Sequence, residues 1–249
     1  MEEISKVLLL LALRIQLGVS ASVKFVVEGG LASTGLLVGN GGVKQVSIGL
    51  FSLLYVLIGG TLTMFSEASS FHFCALGDMP YELPDDLDRF EYVIQAINAE
   101  SPAFTAHVGD TKSGGSPCSD GSMDRTWESI SKFDHPLVYT PGDNDWTDCH
   151  REAAGGMDPL ERLDTLRERF FEGSSTLGGG SSLELMVQSD DPEWARFVEN
   201  RLWIVDEVVF GTLHLVGSGN NNQEEVPGAV AEFLERDAAN EEWLSNIFE

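Results

Sequence analysis

FHFCALGD (residues 71–78), AFTAHVGD (residues 103–110) and PLVYTPGD (residues 136–143) each join a short apolar run to a Gly-Asp pair. The apolar runs have the length and composition of buried strands, and a segment with helical spacing follows each of the first two. The intervals between the aspartates are 32 and 33 residues, about the length of one strand-helix-strand unit. The order strand, helix, strand, helix, strand predicts an α/β domain.

The same patterns predict the remaining elements of the acidic part of the chain. A helix opening at Asp158-Pro159 is favoured because leucines recur after it at three- and four-residue steps and proline is tolerated in a first turn. Residues 183–200 give no clear pattern. The predicted strands are 71–76, 103–108, 136–140, 201–206 and 208–216, and the other predicted helices are 90–99, 123–133 and 229–248.

The three aspartates of the Gly-Asp pairs, Asp78, Asp110 and Asp143, are candidate metal ligands. In a parallel sheet they would all lie at the carboxyl edge of the strands, where open α/β folds place ligands. Clustered carboxylates repel one another unless a cation lies among them, and oxygen ligands suit hard or borderline divalent cations. The competing interpretation is ordinary turn chemistry, because Gly-Asp pairs are common where a strand ends.

These blocks resemble the first three motifs of the calcineurin-like metallophosphoesterases, an Asp-x-His block, a Gly-Asp block and a Gly-Asn-His-Asp/Glu block. The matching segments are Ala75–Asp78, His107–Asp110 and Thr140–Asp145, and the resemblance extends over residues 71–249. It implies a sandwich of two mixed β-sheets flanked by helices. It also implies two divalent metal ions, Mn, Fe or Zn, that serve in the hydrolysis of phosphate esters.

Position by position, the resemblance implies that Asp78 binds the first metal, that Asp110 bridges both metals, and that Asp143 replaces a metal-binding Asn. Pro80 stands where the first block has its His ligand, and Tyr81 beside it is a candidate substitute ligand. The first metal position therefore departs from the family pattern.

Three further residues are candidates for the catalytic step: Asn144, His150 and Arg151. Asn144 stands where the family has the His that protonates the leaving group, and an amide cannot act as a general acid at neutral pH. His150 follows the third block closely enough to replace that acid, although a lone loop histidine is more often solvated. Arg151 and Lys112 are candidates to offset substrate charge, with surface salt bridges as the alternative.

The later histidine motifs of the family are not matched. The histidines are His72, His107, His135, His150 and His214, and none forms a Gly-His-x-His block. His214, between apolar neighbours on a predicted strand, is interpreted as a core histidine rather than a ligand. The sequence therefore predicts an incomplete metallophosphoesterase-like domain at residues 71–249. The alternative is an exported, non-catalytic binding or scaffold module of the same fold. A Rossmann domain is disfavoured because no Gly-x-Gly-x-x-Gly turn follows the first strand.

Two of the three cysteines follow Gly-Asp blocks and are predicted to form a disulfide. Cys118 and Cys149 lie in loops that leave neighbouring strands at one edge, within reach of each other. A metal-thiolate site is less favoured because there is no Cys-x-x-Cys spacing. Cys74, inside the first predicted strand, is expected to be buried.

Residues 1–70 are predicted to be a hydrophobic leader. Ser47 to Phe65 carries no charge over 19 residues, close to the roughly 20 needed to cross a bilayer, and small residues follow it. A cleaved signal peptide and an uncleaved membrane tether both fit, with a buried core helix as the alternative. The protein is therefore expected to be exported, periplasmic or extracellular, or membrane-anchored.

The charge of the chain limits the class of its partners. Acidic and basic residues balance in residues 1–70, so the whole net charge of −25 lies in residues 71–249. Such a surface repels nucleic acid phosphates, which bind clustered Lys and Arg. We expect a small phosphoester substrate and no nucleic acid partner, and most of the acidic residues serve solvation.

Overall fold

The computed structural model describes residues 6–10, 22–28, 31–37, 44–46, 70–81 and 85–248. Its strands are β1 (Lys6–Leu10), β2 (Ser22–Glu28), β3 (Leu31–Leu37), β4 (Lys44–Val46), β5 (Ser70–Leu76), β6 (Thr105–His107), β7 (Leu137–Tyr139), β8 (Met186–Val187), β9 (Arg201–Val205) and β10 (Val208–Thr212). Its longer helices are α1 (Asp85–Glu100), α2 (Asp120–Ile130), α3 (Pro159–Phe170) and α4 (Ala229–Ile247). The α/β class predicted from the sequence is confirmed.

The larger sheet is mixed and has the order β4-β3-β2-β5-β6-β7. Strands β5, β6 and β7 are parallel, as the repeated strand-helix spacing predicted, and Leu76, His107 and Tyr139 form one row across them. Strands β2, β3 and β4 continue the sheet in antiparallel pairs. All three Gly-Asp pairs therefore leave the sheet at the same edge.

The smaller sheet has the order β1-β10-β9-β8 and shares a core with the larger one. Phe73 of β5 stacks on Phe104, with ring centroids 4.8 Å apart, and Phe104 meets Phe210 of β10 edge-on at 4.9 Å. Trp203 of β9 stacks on Phe210 at 5.5 Å. Aromatic pairs of this kind add stabilisation beyond the apolar area that they bury.

The opposite face of the larger sheet is covered by helices. Cys74 and Leu76 of β5 pack in a second core with Phe90 and Ile94 of α1. Alternate residues of β5 thus face two different cores, which explains why its sequence is a continuous apolar run. Helix α3 begins as predicted, with Asp158 accepting a hydrogen bond from the amide of Leu160.

Strands β1–β4 fall within the segment assigned from sequence to a leader. Strand β1 pairs in parallel with β10, and β2 pairs antiparallel with β5. The predicted membrane segment at residues 47–65 lies outside the described residues, and the division of the chain at residue 70 stays a prediction. Among the described helices, none is both long enough and apolar enough to span a bilayer.

The predicted disulfide between Cys118 and Cys149 is confirmed, with 5.7 Å between the two Cα atoms. Both cysteines are buried, and the sulfurs lie 4.0 and 3.7 Å from the carbonyl oxygens of Asn144 and Asp145. The disulfide thus packs against the backbone of the third Gly-Asp block. Cys74 is buried in β5, as expected.

We expect the double variant Cys118→Ala/Cys149→Ala to lose roughly 3–4 kcal/mol of unfolding free energy, because the bridge closes a loop of 31 residues. Denaturant unfolding of both proteins measures this difference. Mass spectrometry of a digest alkylated without reduction checks the pairing. Alkylated Cys118 and Cys149 in oxidised material would contradict it.

Candidate functional site

The three Gly-Asp blocks meet at one edge of the larger sheet and bond to one another. The amide of Asp78 donates to the carbonyl of Gly109 at 3.1 Å, which joins the first block to the second. The amide of Asn144 donates to Oδ1 of Asp110 at 3.1 Å, which joins the second block to the third. The structure confirms that the three Gly-Asp blocks meet at the carboxyl edge of the sheet, as predicted.

The glycines of the second and third blocks are required by close backbone approach. A Cβ atom on Gly109 would lie 2.0 Å from the amide nitrogen of Gly142, and one on Gly142 would lie 2.1 Å from Oδ1 of Asp110. Gly109 has a φ of 84°, and Asp78 and Asp110 have φ values of 55° and 56°. Left-handed aspartates are strained, and such strain is concentrated at functional sites.

The carboxylate of Asp145 holds the second and third blocks together. Its Oδ2 accepts hydrogen bonds from the amides of Asp110 and Gly142, at 2.9 and 2.8 Å, and from the hydroxyl of Tyr139 at 3.0 Å. Its Oδ1 accepts from the amide and the hydroxyl of Thr111, at 2.8 and 2.7 Å. Burial and this carboxylate raise the pKa of Tyr139 well above its usual range, so the phenol stays a donor.

The candidate ligands differ in exposure. Asp110 and Asp143 are buried, whereas Asp78 is exposed. Oδ2 of Asp143 lies 2.9 Å from the hydroxyl of Ser218, which is also 2.8 Å from Oδ1 of Asp148. Burial raises the pKa of Asp148, and the neighbouring Asp143 raises it further. Within the part of the chain that the structure describes, no three His, Cys, Asp or Glu side chains are already grouped as a metal cage.

Asn144 and Tyr81 lie together beside these carboxylates. The amide nitrogen of Asn144 is 3.4 Å from the hydroxyl of Tyr81. The backbone of Tyr81 is held from both sides, because its amide donates to Asp86 and its carbonyl accepts from the amide of Ser113. Pro80 follows a cis peptide bond and is buried. The residue proposed to substitute for the missing histidine thus lies next to the third block.

The cationic candidates lie in the loops of the second and third blocks. Arg151 pairs with Asp148 at 2.7 Å, and its side chain is 49% exposed. Lys112 is buried, and burial lowers its pKa although Asp145, Asp148 and Asp110 oppose that change. The surface salt bridge considered for Lys112 is therefore not observed. His150 is half-buried, with its Nδ1 2.7 Å from the carbonyl of Thr147.

His214 is a core histidine, as the sequence indicated. Its Nε2 accepts a hydrogen bond from the indole of Trp146 at 3.2 Å, so the proton lies on Nδ1, which donates to Glu199 at 2.6 Å. Burial lowers the pKa of His214. Burial alone would raise the pKa of Glu199. The stronger opposite effects of Arg167 and His214 hold that pKa well below its usual range. The ring is neutral, and both of its nitrogens have protein partners.

Asp145, Asp148 and Ser218 belong to the site but were given no role from sequence. Asp145 ends the third block and Asp148 lies three residues beyond it, and this position is the signal that could have identified them. Ser218 lies 75 residues from Asp143 in a polar loop, and only the fold brings it to the edge. The candidate site is thus larger than the set of Gly-Asp pairs.

Comparisons with known proteins leave the family open. No family model, no curated protein and no solved structure matches the chain. The resemblance to calcineurin-like metallophosphoesterases therefore depends on the three blocks and their geometry. It stays a proposal.

We expect Asp145→Asn to lower the unfolding free energy by roughly 3 kcal/mol or more, because its amide group leaves buried N–H donors without an acceptor. Asp88→Asn, at an exposed position of α1, is the matched control and should change it by less than about 0.5 kcal/mol. Denaturant unfolding measures both variants. An Asp145→Asn protein as stable as the control would contradict the role of the Asp145 carboxylate in joining the second and third blocks.

His214 should make stability fall in mild acid. Its folded-state pKa is lowered, so the stability that it contributes is complete above the unfolded value of 6.5 and is lost as the pH falls from there toward the folded value. The unfolding free energy of the wild type should drop more steeply than that of His214→Gln, by up to about 1.4 kcal/mol per pH unit. His72→Gln, on β5, is the control. Parallel curves for wild type and His214→Gln would refute this role.

Proposed function

We propose that this chain is a metal-dependent phosphoester hydrolase of the calcineurin-like kind, with its cation site at the carboxyl edge of β5, β6 and β7. The observation that carries the proposal is the hydrogen-bonded meeting of three Gly-Asp blocks at that edge. Turn chemistry at a single strand end does not require three such blocks to bond to one another. The two mixed sheets with a shared aromatic core are compatible with the sandwich of that family.

The oxygen donors at this edge are of the type that hard divalent cations prefer, although the described side chains are not grouped as a metal cage. Asp110 and Asp143 are buried carboxylates, Asp78 is an exposed one, and Tyr81 adds a phenolic oxygen beside Asn144. Oxygen ligands of this kind suit Mn²⁺, and the family's second metal would need nitrogen ligands. In the family those nitrogen ligands come from the later histidine motifs, which this chain does not match. We therefore propose two divalent ions, Mn, Fe or Zn, with the oxygen-liganded one held more tightly.

The residues around the carboxylates have the chemistry to receive a phosphate ester. A bound divalent cation would supply Lewis-acid stabilisation of the phosphoryl oxygens. The guanidinium of Arg151 is half-exposed and can pair with a phosphoryl oxygen, and the Asn144 amide can donate to another. Asn144 cannot protonate a leaving group, so His150 is the proposed general acid. Lys112, which is only 5% exposed, adds positive potential close to the site.

A non-catalytic binding module is the second candidate function. It is favoured by Pro80 and Asn144 at two positions where the family has histidines. Such a protein would keep the cation and the phosphate contacts but would lack efficient proton transfer. Hydrolysis separates the two candidates, because both predict cation binding.

The proposed location is an oxidising compartment. The buried bridge between Cys118 and Cys149 supports export, since disulfides persist outside the reducing cytosol. A signal peptide or a membrane tether at residues 47–65 would place the protein in the periplasm, outside the cell or on a membrane. The proposed partner is a small phosphoester, because a net charge of −25 disfavours nucleic acid.

Calorimetry of the full chain with Mn²⁺ should show binding that weakens at least about tenfold in Asp110→Asn, because a buried carboxylate ligand is lost. Asp88→Asn is again the matched control and should bind like the wild type. Hydrolysis of an aryl phosphate monoester and diester with added Mn²⁺ then tests catalysis. Turnover that is weak but lost in Asp110→Asn supports the hydrolase, and binding without turnover supports the module.

Mn²⁺ affinity that is identical in wild type and Asp110→Asn would contradict the proposed site. Turnover that persists in the double variant Asp78→Asn/Asp110→Asn would contradict the assigned chemistry. Either result would refute the proposed function without contradicting the described fold.

A further inference from the structure

One hydroxyl group, that of Ser218, lies between two carboxylates of the candidate site. It is 2.9 Å from Oδ2 of Asp143 and 2.8 Å from Oδ1 of Asp148. A hydroxyl carries one proton and can donate to only one of them. Ser218 therefore links Asp143 to Asp148.

Arg151 binds both Asp148 and the hydroxyl of Ser218. Its Nη1 pairs with Oδ2 of Asp148 at 2.7 Å, and its Nη2 donates to the hydroxyl oxygen of Ser218 at 3.3 Å. The guanidinium occupies a lone pair of the hydroxyl oxygen and fixes the position of Ser218, whose hydroxyl stays within hydrogen-bond distance of Asp143.

The backbone that carries Ser218 is left-handed over four consecutive residues. The φ values are 50° for Ser218, 66° for Gly219, 55° for Asn220 and 64° for Asn221. Glycine and asparagine tolerate this conformation, but serine does so at a cost in free energy. Ser218 is the member of this turn that backbone geometry does not favour, which points to a role for its side chain.

A buried arginine of α4, Arg236, binds the backbone and a side chain of this turn. Arg236 donates to Oδ1 of Asn220 at 2.7 Å, to the carbonyl of Asn220 at 2.9 Å and to the carbonyl of His214 at 2.8 Å. Arg236 itself is paired with Glu232 at 2.6 Å, and Glu232 also accepts from Asn221. These contacts place the hydroxyl independently of any ligand.

We infer that Ser218 is a positioning residue that orients the Asp143 carboxylate for a divalent cation. The inference rests on the proposed function and adds to it a residue outside the three Gly-Asp blocks. Oδ2 of Asp143 lies 2.9 Å from the hydroxyl, so this contact restricts rotation of the carboxylate. Partners of metal ligands act in this way, and their loss weakens metal affinity by about 10–100-fold.

Two substitutions of the same residue separate this role from a structural one. Ser218→Gly removes the hydroxyl and relieves the left-handed backbone, whereas Ser218→Ala removes the hydroxyl and keeps the strain. We expect both to weaken Mn²⁺ binding by about 10–100-fold in calorimetry, although Ser218→Ala should unfold at a lower temperature than Ser218→Gly. Mn²⁺ affinity should thus depend on whether the hydroxyl is present, and the unfolding temperature on whether the residue tolerates the left-handed backbone.

Ser101→Gly is the matched control. Ser101 also has a φ of 50°, and its hydroxyl donates to the carbonyl of Asn98 next to the end of α1. This variant should change stability as Ser218→Gly does and leave Mn²⁺ affinity at the wild-type value. The visible absorption of Co²⁺ bound to the protein should differ between Ser218→Gly and wild type and should be unchanged in Ser101→Gly.

The outcomes separate the role of Ser218 from the proposed metal-dependent function. If Asp110→Asn weakens Mn²⁺ binding but Ser218→Gly and Ser218→Ala bind like the wild type, the role of Ser218 is refuted and the proposed function stands. If the wild type does not bind Mn²⁺, both are refuted. If affinity falls in Ser218→Ala alone, the effect is one of stability, and the positioning role is refuted.

Discussion

The buried carboxylate of Asp145 is the interaction on which the candidate site depends. Five hydrogen-bond donors converge on its two oxygens, from the amides of Asp110, Thr111 and Gly142 and the hydroxyls of Thr111 and Tyr139. Hydrogen bonds to a charged acceptor are about twice as strong as neutral ones. One side chain therefore binds the loops after two neighbouring strands and keeps their backbones in contact.

That contact explains why the loops have their sequence. With the second and third blocks held together, Gly109 and Gly142 approach too closely for any Cβ atom. Asp110 is forced into a left-handed conformation, and its carboxylate accepts the amide of Asn144. The glycines that looked like turn residues are thus required by packing, and the aspartates beside them are oriented by the same constraint.

Local patterns were sufficient to predict strands β5, β6 and β7, because apolar runs and their spacing reflect burial and chain length directly. The Cys118–Cys149 pairing was also predictable, since both cysteines follow blocks at one edge. The contacts of Ser218 and the partners of His214 were not, because they join residues far apart in sequence. Strand β3 lies in a Gly-rich segment without clear period, and pairing with β2 and β4 defines it.

The distribution of positive charge decides what this edge can attract. Residues 77–81, 109–114 and 142–151 carry five aspartates and two cationic side chains, Lys112 and Arg151. Arg167 and Arg236 are buried against Glu199 and Glu232, and therefore do not neutralise the edge. Because Asp145 is satisfied by neutral N–H and O–H donors, its charge is stabilised but not cancelled. The edge keeps an excess of negative charge in a partly buried setting, where electrostatic attraction is stronger than in water. This excess is the electrostatic basis of the proposed cation site, and a phosphate ester would need the proposed cation or Arg151 before it could approach.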